Sequence, residues 1–233
     1  MEAIILAGGL GSRLRGVVGD LPKSMAPVNN RPFLEYLLDY LIAQGISAVV
    51  LSVGYRHEQI SGHFGDRYRD LPVRYAVETE PLGTGGGIRL AMWKVEALRA
   101  LVMNGDSLFR VNYRELMDFH LKKKADATLA LRKMADTGRY GRVNMNRTRR
   151  ITGFEEKGPA GGAGYINGGV YVIEKYFLME PEFRGSFSIE KDCFEQYASH
   201  AKLYGFSSGG YFLDIGIPED FKKAGDEFAG FAD

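Results

Sequence analysis

Residues 3–7, AIILA, form an unbroken apolar run that stops abruptly at Gly8, Gly9 and Gly11. A run without polar alternation predicts a strand covered on both faces, the environment of a parallel sheet sandwiched between helices. The first half of the chain has the rhythm to build that sheet. Residues 31–44 (RPFLEYLLDYLIAQ) set Phe33, Leu34, Leu37, Leu38, Leu41 and Ile42 on one helical face, and Gly45 supplies the stop. A strand over 48–55, a short helix over 57–64 and a strand over 72–78 follow. A helix over 86–98, a strand over 99–106 and a helix over 112–124 continue the order. Alternation of this kind favours right-handed crossovers and a doubly wound parallel sheet.

After Ala125 the rhythm changes. Segments 127–133, 141–146, 150–157 and 165–175 read as strands joined by short turns, which predicts antiparallel additions. Helices are expected near 188–199 and 218–228, with a strand-like stretch at 210–216. No Pro- or Ser-rich linker and no internal repeat divides the chain. The expectation is one domain over residues 1–233, a Rossmann-like three-layer α/β/α fold with a mainly parallel, mixed central sheet.

Composition narrows the function. With 30 Lys and Arg against 29 Asp and Glu, the formal net charge is +1. Non-specific nucleic-acid binding needs a cationic surplus that this chain lacks. Lys122, Lys123 and Lys124 close a helical pattern, where positive charge complements the macrodipole. The lone Cys193 sits among apolar neighbours and reads as core, and the four histidines have no metal-ligand spacing. About five apolar residues precede the first glycine, too few for a secretion signal, and no run reaches the roughly 20 needed to span a membrane. The cytoplasm is the expected compartment, and a monomer or small homo-oligomer the expected state.

Gly8, Gly9 and Gly11 let backbone amides approach an anion without Cβ interference, and Arg13 adds a planar cationic fork suited to phosphate. A Walker loop would need Gly-Lys-Ser/Thr, which is absent. A dinucleotide fingerprint would need a third glycine where Leu14 stands and an acid where Gly54 and Tyr55 stand.

The stretch LAGGLGSRL…LPKSMAPV instead resembles the loop of the sugar-phosphate nucleotidyltransferases. The resemblance continues in order through EPLGTGG, NGD, RYG, FEEK, INGGVYV, SIEKDCF and DIGIPED. It implies transfer of a nucleoside monophosphate from a triphosphate to a sugar 1-phosphate, with pyrophosphate leaving. A phosphate monoester is mostly dianionic at neutral pH, its second pKa being about 6, so the nucleophile needs no general base. The resemblance implies catalytic roles for Arg13, Lys23, Asp106 and Lys157, and Mg²⁺ held by Asp106 and Asp214. It places Leu6, Ala7, Gly8, Gly9, Gly11, Ser12, Arg13, Glu78, Pro81, Gly83, Thr84, Asn104 and Asp106 on the nucleotide. Gly141, Glu156, Lys157, Asn167 and Gly168 fall on the sugar phosphate.

Glu78 aligns with the base-reading position of that family. A carboxylate there could accept from guanine N1–H and N2–H, which favours GTP, and Gly83 and Gly85 would let backbone lie close to the base. The sugar stays open between a heptose and mannose, and uridylyl transfer to another sugar 1-phosphate remains an alternative. Ser24 and Gly158 stand where the family usually has proline, which leaves the placement of Lys23 and Lys157 to be settled. A glycosyltransferase would usually carry Asp-x-Asp, absent here, and a non-catalytic nucleotide sensor would not need these charges together.

Overall fold

The computed structural model describes residues 1–9, 19–158 and 162–230. Strand β1 (Glu2–Leu6) opens the fold, and a small hairpin of β2 (Pro27–Val28) and β3 (Arg31–Pro32) leads into helix α1 (Phe33–Ala43). Next come β4 (Ala48–Val53), α2 (His57–Phe64), β5 (Arg67–Tyr68), β6 (Leu71–Val77), α3 (Gly83–Met92) and β7 (Arg99–Asn104). A short β8 (Ser107–Phe109), helix α4 (Tyr113–Lys123) and β9 (Ala127–Met134) precede the hairpin of β10 (Arg142–Met145) and β11 (Ile151–Glu155). The remainder is β12 (Gly164–Glu174), α5 (Lys175–Met179), a π-type helix (Ile189–Glu195), β13 (Leu203–Ser208), β14 (Phe212–Asp214) and α6 (Pro218–Phe228).

Eight strands share one sheet in the order β13-β9-β12-β7-β1-β4-β6-β5. Strands β7, β1, β4 and β6 run parallel, while β12 enters antiparallel between β7 and β9. The apolar run of β1 is explained by its two covered faces. Ala3 and Ile5 pack with Phe33, Leu37, Ile60, Leu116 and Phe228 of α1, α2, α4 and α6. Ile4 points the other way, into Ile88 and Met92 of α3 and Leu178 and Phe194 beyond β12. The sheet is therefore the middle of three layers, as expected.

Three local readings are corrected. Helix α3 begins at Gly83 and ends at Met92, short of the expected 86–98. Residues 93–98 turn instead, because Oε2 of Glu2 accepts the N–H groups of Glu96 (2.8 Å) and Ala97 (2.9 Å). Strand β13 went unforeseen, since LYGFSS is half polar, yet it pairs in parallel with β9 and so departs from the antiparallel pattern expected of this half. The stretch expected to be helical over 188–199 is of π type across Ile189–Glu195.

Helix α4 shows local sequence at work. Asn112 accepts the N–H groups of Arg114 and Glu115, both at 3.1 Å, which caps the start. Lys124 ends the helix at φ 48, and Lys123 lies over the rings of Phe119 and Tyr204. The helix also carries His120, 1% exposed, whose Nδ1 meets Thr128 Oγ1 at 2.9 Å and Nε2 meets Glu174 Oε1 at 3.2 Å. Burial lowers the His120 pKa below 6.5 against the opposing pull of Glu174, so the ring is held neutral. Below about pH 6.5 the unfolded chain binds this proton more readily than the folded one, so the stability it contributes is lost on acidification. Urea midpoints taken at about pH 7.5 and about pH 5.5 should fall more in the wild type than in His120→Gln.

Candidate active site

The site begins with backbone. At the carboxyl ends of β1, β4 and β7, Ala7 N donates to Ser52 O (2.8 Å) and Gly105 N donates to Leu6 O (2.9 Å). A Cβ on Gly8 would lie 2.9 Å from Gly54 N, and one on Gly105 only 2.5 Å from Leu6 O. Any side chain at either position would force the strand ends apart. Their approach shapes a cleft of about 670 Å³ at the edge where open α/β sheets bind ligands. Of the expected nucleotide residues, Leu6, Ala7, Gly8, Gly9, Glu78, Pro81, Gly83, Thr84, Asn104 and Asp106 line it, together with Lys23. Gly11, Ser12 and Arg13 lie outside the described residues.

Three charges from distant segments meet beside this cleft. Lys23 starts a short 3-10 turn, Lys23–Met25, and its Nζ contacts Oδ2 of Asp106 and lies 3.9 Å from Oδ1 of Asp214. Asp106 follows β7 directly, while Asp214 ends β14. Pairing of β14 with β8 places Asp214 opposite Ser107, and Ile215 N donates to Asp106 O at 2.9 Å. That ladder brings together two carboxylates 108 positions apart in the chain (214 less 106). Ser24, the departure from the family's proline, is buried and donates its hydroxyl to Ala7 O at 3.4 Å. It ties the lysine turn to the end of β1.

Burial, then the neighbouring charge of Asp106, holds the Asp214 carboxyl above the usual carboxylate range. Such crowding is relieved when a cation sits between the groups. Lys23 provides part of that relief, and the two-carboxylate oxygen set also suits a hard divalent ion. Among the described residues no cluster of three or more His, Cys, Asp or Glu side chains could hold a metal, so the Asp106–Asp214 pair is the candidate.

On the opposite wall, Glu78 Oε2 accepts Leu82 N–H at 3.1 Å and Ser52 Oγ donates to Oε1 at 3.4 Å. The carboxylate braces the loop that starts α3 while still facing the cleft. Gly83 and Gly85 have a packing role as well. Their Cβ positions are occupied by Phe187, whose carbonyl would lie 2.6 Å from a Cβ on Gly83 and whose ring would lie 2.1 Å from one on Gly85. These glycines admit the Phe187 loop, which Gly85 N joins at 2.9 Å, while Gly83 also lines the cleft.

The expected sugar residues lie apart from the cleft lining. Gly141 has φ +76 and abuts Glu155 O, and Gly168 is buried beneath the ring of Phe109. Lys157 is exposed, and Glu156 pairs with Lys191 at 3.4 Å. Asn167 donates to Tyr171 OH and accepts from Gly169 N, both at 2.9 Å. Cys193, expected in the core, is fully buried, and burial pushes its thiol pKa up, away from nucleophilic chemistry.

The nucleotidyl transferase family model matches residues 2–229. The chain belongs to the nucleotidyl transferase family. It is 49% identical over 224 residues to the D-glycero-α-D-manno-heptose 1-phosphate guanylyltransferase of Aneurinibacillus thermoaerophilus, covering 96% of each chain. It is 40% identical over 221 residues to the enzyme of that name from Campylobacter jejuni, covering 95% of this chain and 97% of the other. The crystal structure of HddC from Yersinia pseudotuberculosis complexed with GMP-PN matches at TM-score 0.87 and 35% identity, across 97% of this chain and 99% of that one.

This nucleotidyl transferase also lines its cleft with Ser24, Gly54, Tyr55, Thr79, Glu80 and Gly105, none of which sequence reasoning assigned to the site. Gly54, Thr79 and Gly105 each stand within two residues of a strand end, and that position was the available signal. Gly105→Ala should press a methyl onto Leu6 O and lower the unfolding free energy by about 1–3 kcal/mol, measured by urea denaturation.

Proposed function

We propose that this nucleotidyl transferase transfers GMP from GTP to D-glycero-α-D-manno-heptose 1-phosphate, forming GDP-heptose and releasing pyrophosphate. The observation that carries the reaction is the meeting of Lys23, Asp106 and Asp214 at the cleft mouth. The choice of guanine and heptose rests on the relatives at 49% and 40% identity, which are named for this activity. The HddC structure with GMP-PN adds a guanine nucleotide bound to the same fold.

In this reading a sugar-phosphate oxygen attacks the α-phosphorus, the bond to the bridging oxygen breaks, and pyrophosphate carries the electron pair away. No proton needs removal from the dianionic nucleophile. The protein must instead hold two anions in line and stabilise charge as it moves onto the leaving group. Lys23 supplies a fixed positive charge beside the α-phosphate, and Arg13 would hold the departing pyrophosphate. Asp106 and Asp214 would hold Mg²⁺, which screens the phosphate charge and acts as a Lewis acid. Glu78 would read the guanine edge with the lone pairs not used by Leu82 and Ser52. Lys157 would grip the incoming phosphate, with Gly141, Glu156, Asn167 and Gly168 around the sugar. The chain works as a single domain, in the cytoplasm, where nucleoside triphosphates are available.

Pyrophosphate release measured with magnesium across nucleotides and sugar 1-phosphates should be fastest for GTP with D-glycero-α-D-manno-heptose 1-phosphate, and EDTA should abolish it. Preference for UTP, or for mannose 1-phosphate, would overturn the substrate assignment. In the same assay Asp106→Asn should lower kcat by about 10²-fold or more. Lys157→Ala should chiefly raise the sugar-phosphate KM, by about tenfold or more, as expected for a lost charged contact.

A further inference from the structure

A chain of hydrogen bonds runs behind the cleft and leaves one carboxylate, Glu190, without a part in the chemistry above. Thr84, on the cleft wall, donates its hydroxyl to Glu190 Oε2 at 2.9 Å and accepts Ile189 N–H at 2.9 Å. Ser188 donates to the same oxygen at 3.1 Å. The other oxygen, Oε1, accepts the hydroxyl of the fully buried Tyr171 at 3.4 Å. Tyr171 in turn accepts from Asn167 Nδ2, and Asn167 Oδ1 accepts from Gly169 N. These last bonds span the bulge in β12 between Asn167 and Tyr171. Gly169, at φ +70, sits so close to Asn104 that a Cβ on it would lie 2.7 Å from Asn104 Nδ2. The hydrogen bonds therefore start from the cleft at Thr84 and end at Gly169, whose backbone packs against Asn104 of the cleft lining.

The direction of the three bonds to Glu190 follows from its charge, and the backbone N–H groups of Ile189 and Gly169 can only donate. An ionised carboxylate only accepts, so Thr84, Ser188 and Tyr171 must each donate to it. Tyr171 has one proton, and giving it to Glu190 leaves its oxygen only as an acceptor. Burial and the charge of Glu190 raise the Tyr171 pKa well above 10, so the phenol keeps that proton. Gly169 N–H requires Oδ1 of Asn167 on its side, which turns Nδ2 toward Tyr171, and the acceptor state that Glu190 imposes on Tyr171 matches that orientation. One N–H and one lone pair of the amide are not used by these bonds.

We propose that Glu190 is a positioning residue for sugar 1-phosphate: its carboxylate takes the Tyr171 proton contact and so keeps Tyr171 an acceptor that holds the Asn167 amide in place, while the same carboxylate anchors Thr84 on the nucleotide wall. This rests on the reading that Asn167 meets the sugar. The polarity of a single half-buried acceptor is thus felt at both substrate walls. A glutamine of the same size replaces one of the two acceptor oxygens by an N–H donor, so it cannot accept from Thr84, Ser188 and Tyr171 together, and it does not empty the space.

The test is steady-state kinetics of the full chain with both substrates varied, alongside thermal unfolding. Glu190→Gln should raise the sugar 1-phosphate KM by about tenfold while the GTP KM changes less and Tm stays near wild type. Tyr171→Phe keeps the ring and should raise the same KM by a similar factor. The double variant should show no further loss, because both changes remove one orienting bond. A purely structural role would lower Tm and leave KM alone. A sugar 1-phosphate KM within about twofold of wild type in Glu190→Gln, or fully additive effects, overturns the relay. If Glu190→Gln fails to fold, Tyr171→Phe decides by the same KM criterion. Asn167→Ala separates the two ways of failing. A raised KM there with none in Glu190→Gln condemns the relay alone, whereas an unchanged KM in both condemns the placement of Asn167 on the sugar.

Discussion

Two carboxylates and one ammonium group compete for the same small space at the edge of the sheet, and much of the local architecture serves to keep them there. Asp106 and Asp214 repel each other, and burial worsens the cost, as the raised Asp214 pKa records. Unit charges at the 3.9 Å separation of Lys23 and Asp214 attract by about 4 kcal/mol at the effective dielectric of a protein surface. That attraction offsets repulsion only while the lysine is held still. Ser24 does this holding through Ala7 O, and the pairing of β14 with β8 holds the carboxylates. A serine at this position secures the turn by hydrogen bonding, where a proline would do so by restricting the backbone.

The cleft beside these charges is built by subtraction. Where Gly8 and Gly105 cross neighbouring strand ends there is no room for a methyl group, so the loops after β1 and β7 draw close and their backbone lines the cleft. Glycine also works at a distance from the ligand. Gly83 and Gly85 make space for the Phe187 loop, which carries the chain on to Ser188 and Glu190. The α3 start, the Phe187 loop and the β12 bulge are thereby packed into one support behind the two substrate walls. Thr84, Ser188, Glu190, Tyr171 and Asn167 satisfy one another there by hydrogen bonds.

The opposite end of the sheet also carries charged groups. There Glu174 pairs with the half-buried Arg99, whose Nε lies 2.5 Å from Glu174 Oε1, and meets the neutral ring of the buried His120. Glu2 ties the turn after α3 to the first strand. At this end too the desolvation cost of the charges is met by direct pairing.

Periodicity in the chain was enough to read the helices over Phe33–Ala43 and Pro218–Phe228, the two-faced burial of β1 and the three layers, because apolar spacing along a segment is set by which faces that segment must cover. The glycine loop, Lys23 and Asp106 were legible for a related reason: each stands at a strand end or in a motif whose residue types suit phosphate. The stop of α3 at Met92, the parallel docking of the half-polar β13 and the purpose of Gly85 were not legible, since each depends on a partner far along the chain. Thr84 and Glu190 are 106 positions apart, and no local pattern announces their hydrogen bond. Long-range contacts become visible only once the sheet has brought its strand ends together, because hydrogen bonds and charge pairs act over a few ångströms in space and carry no trace in sequence spacing.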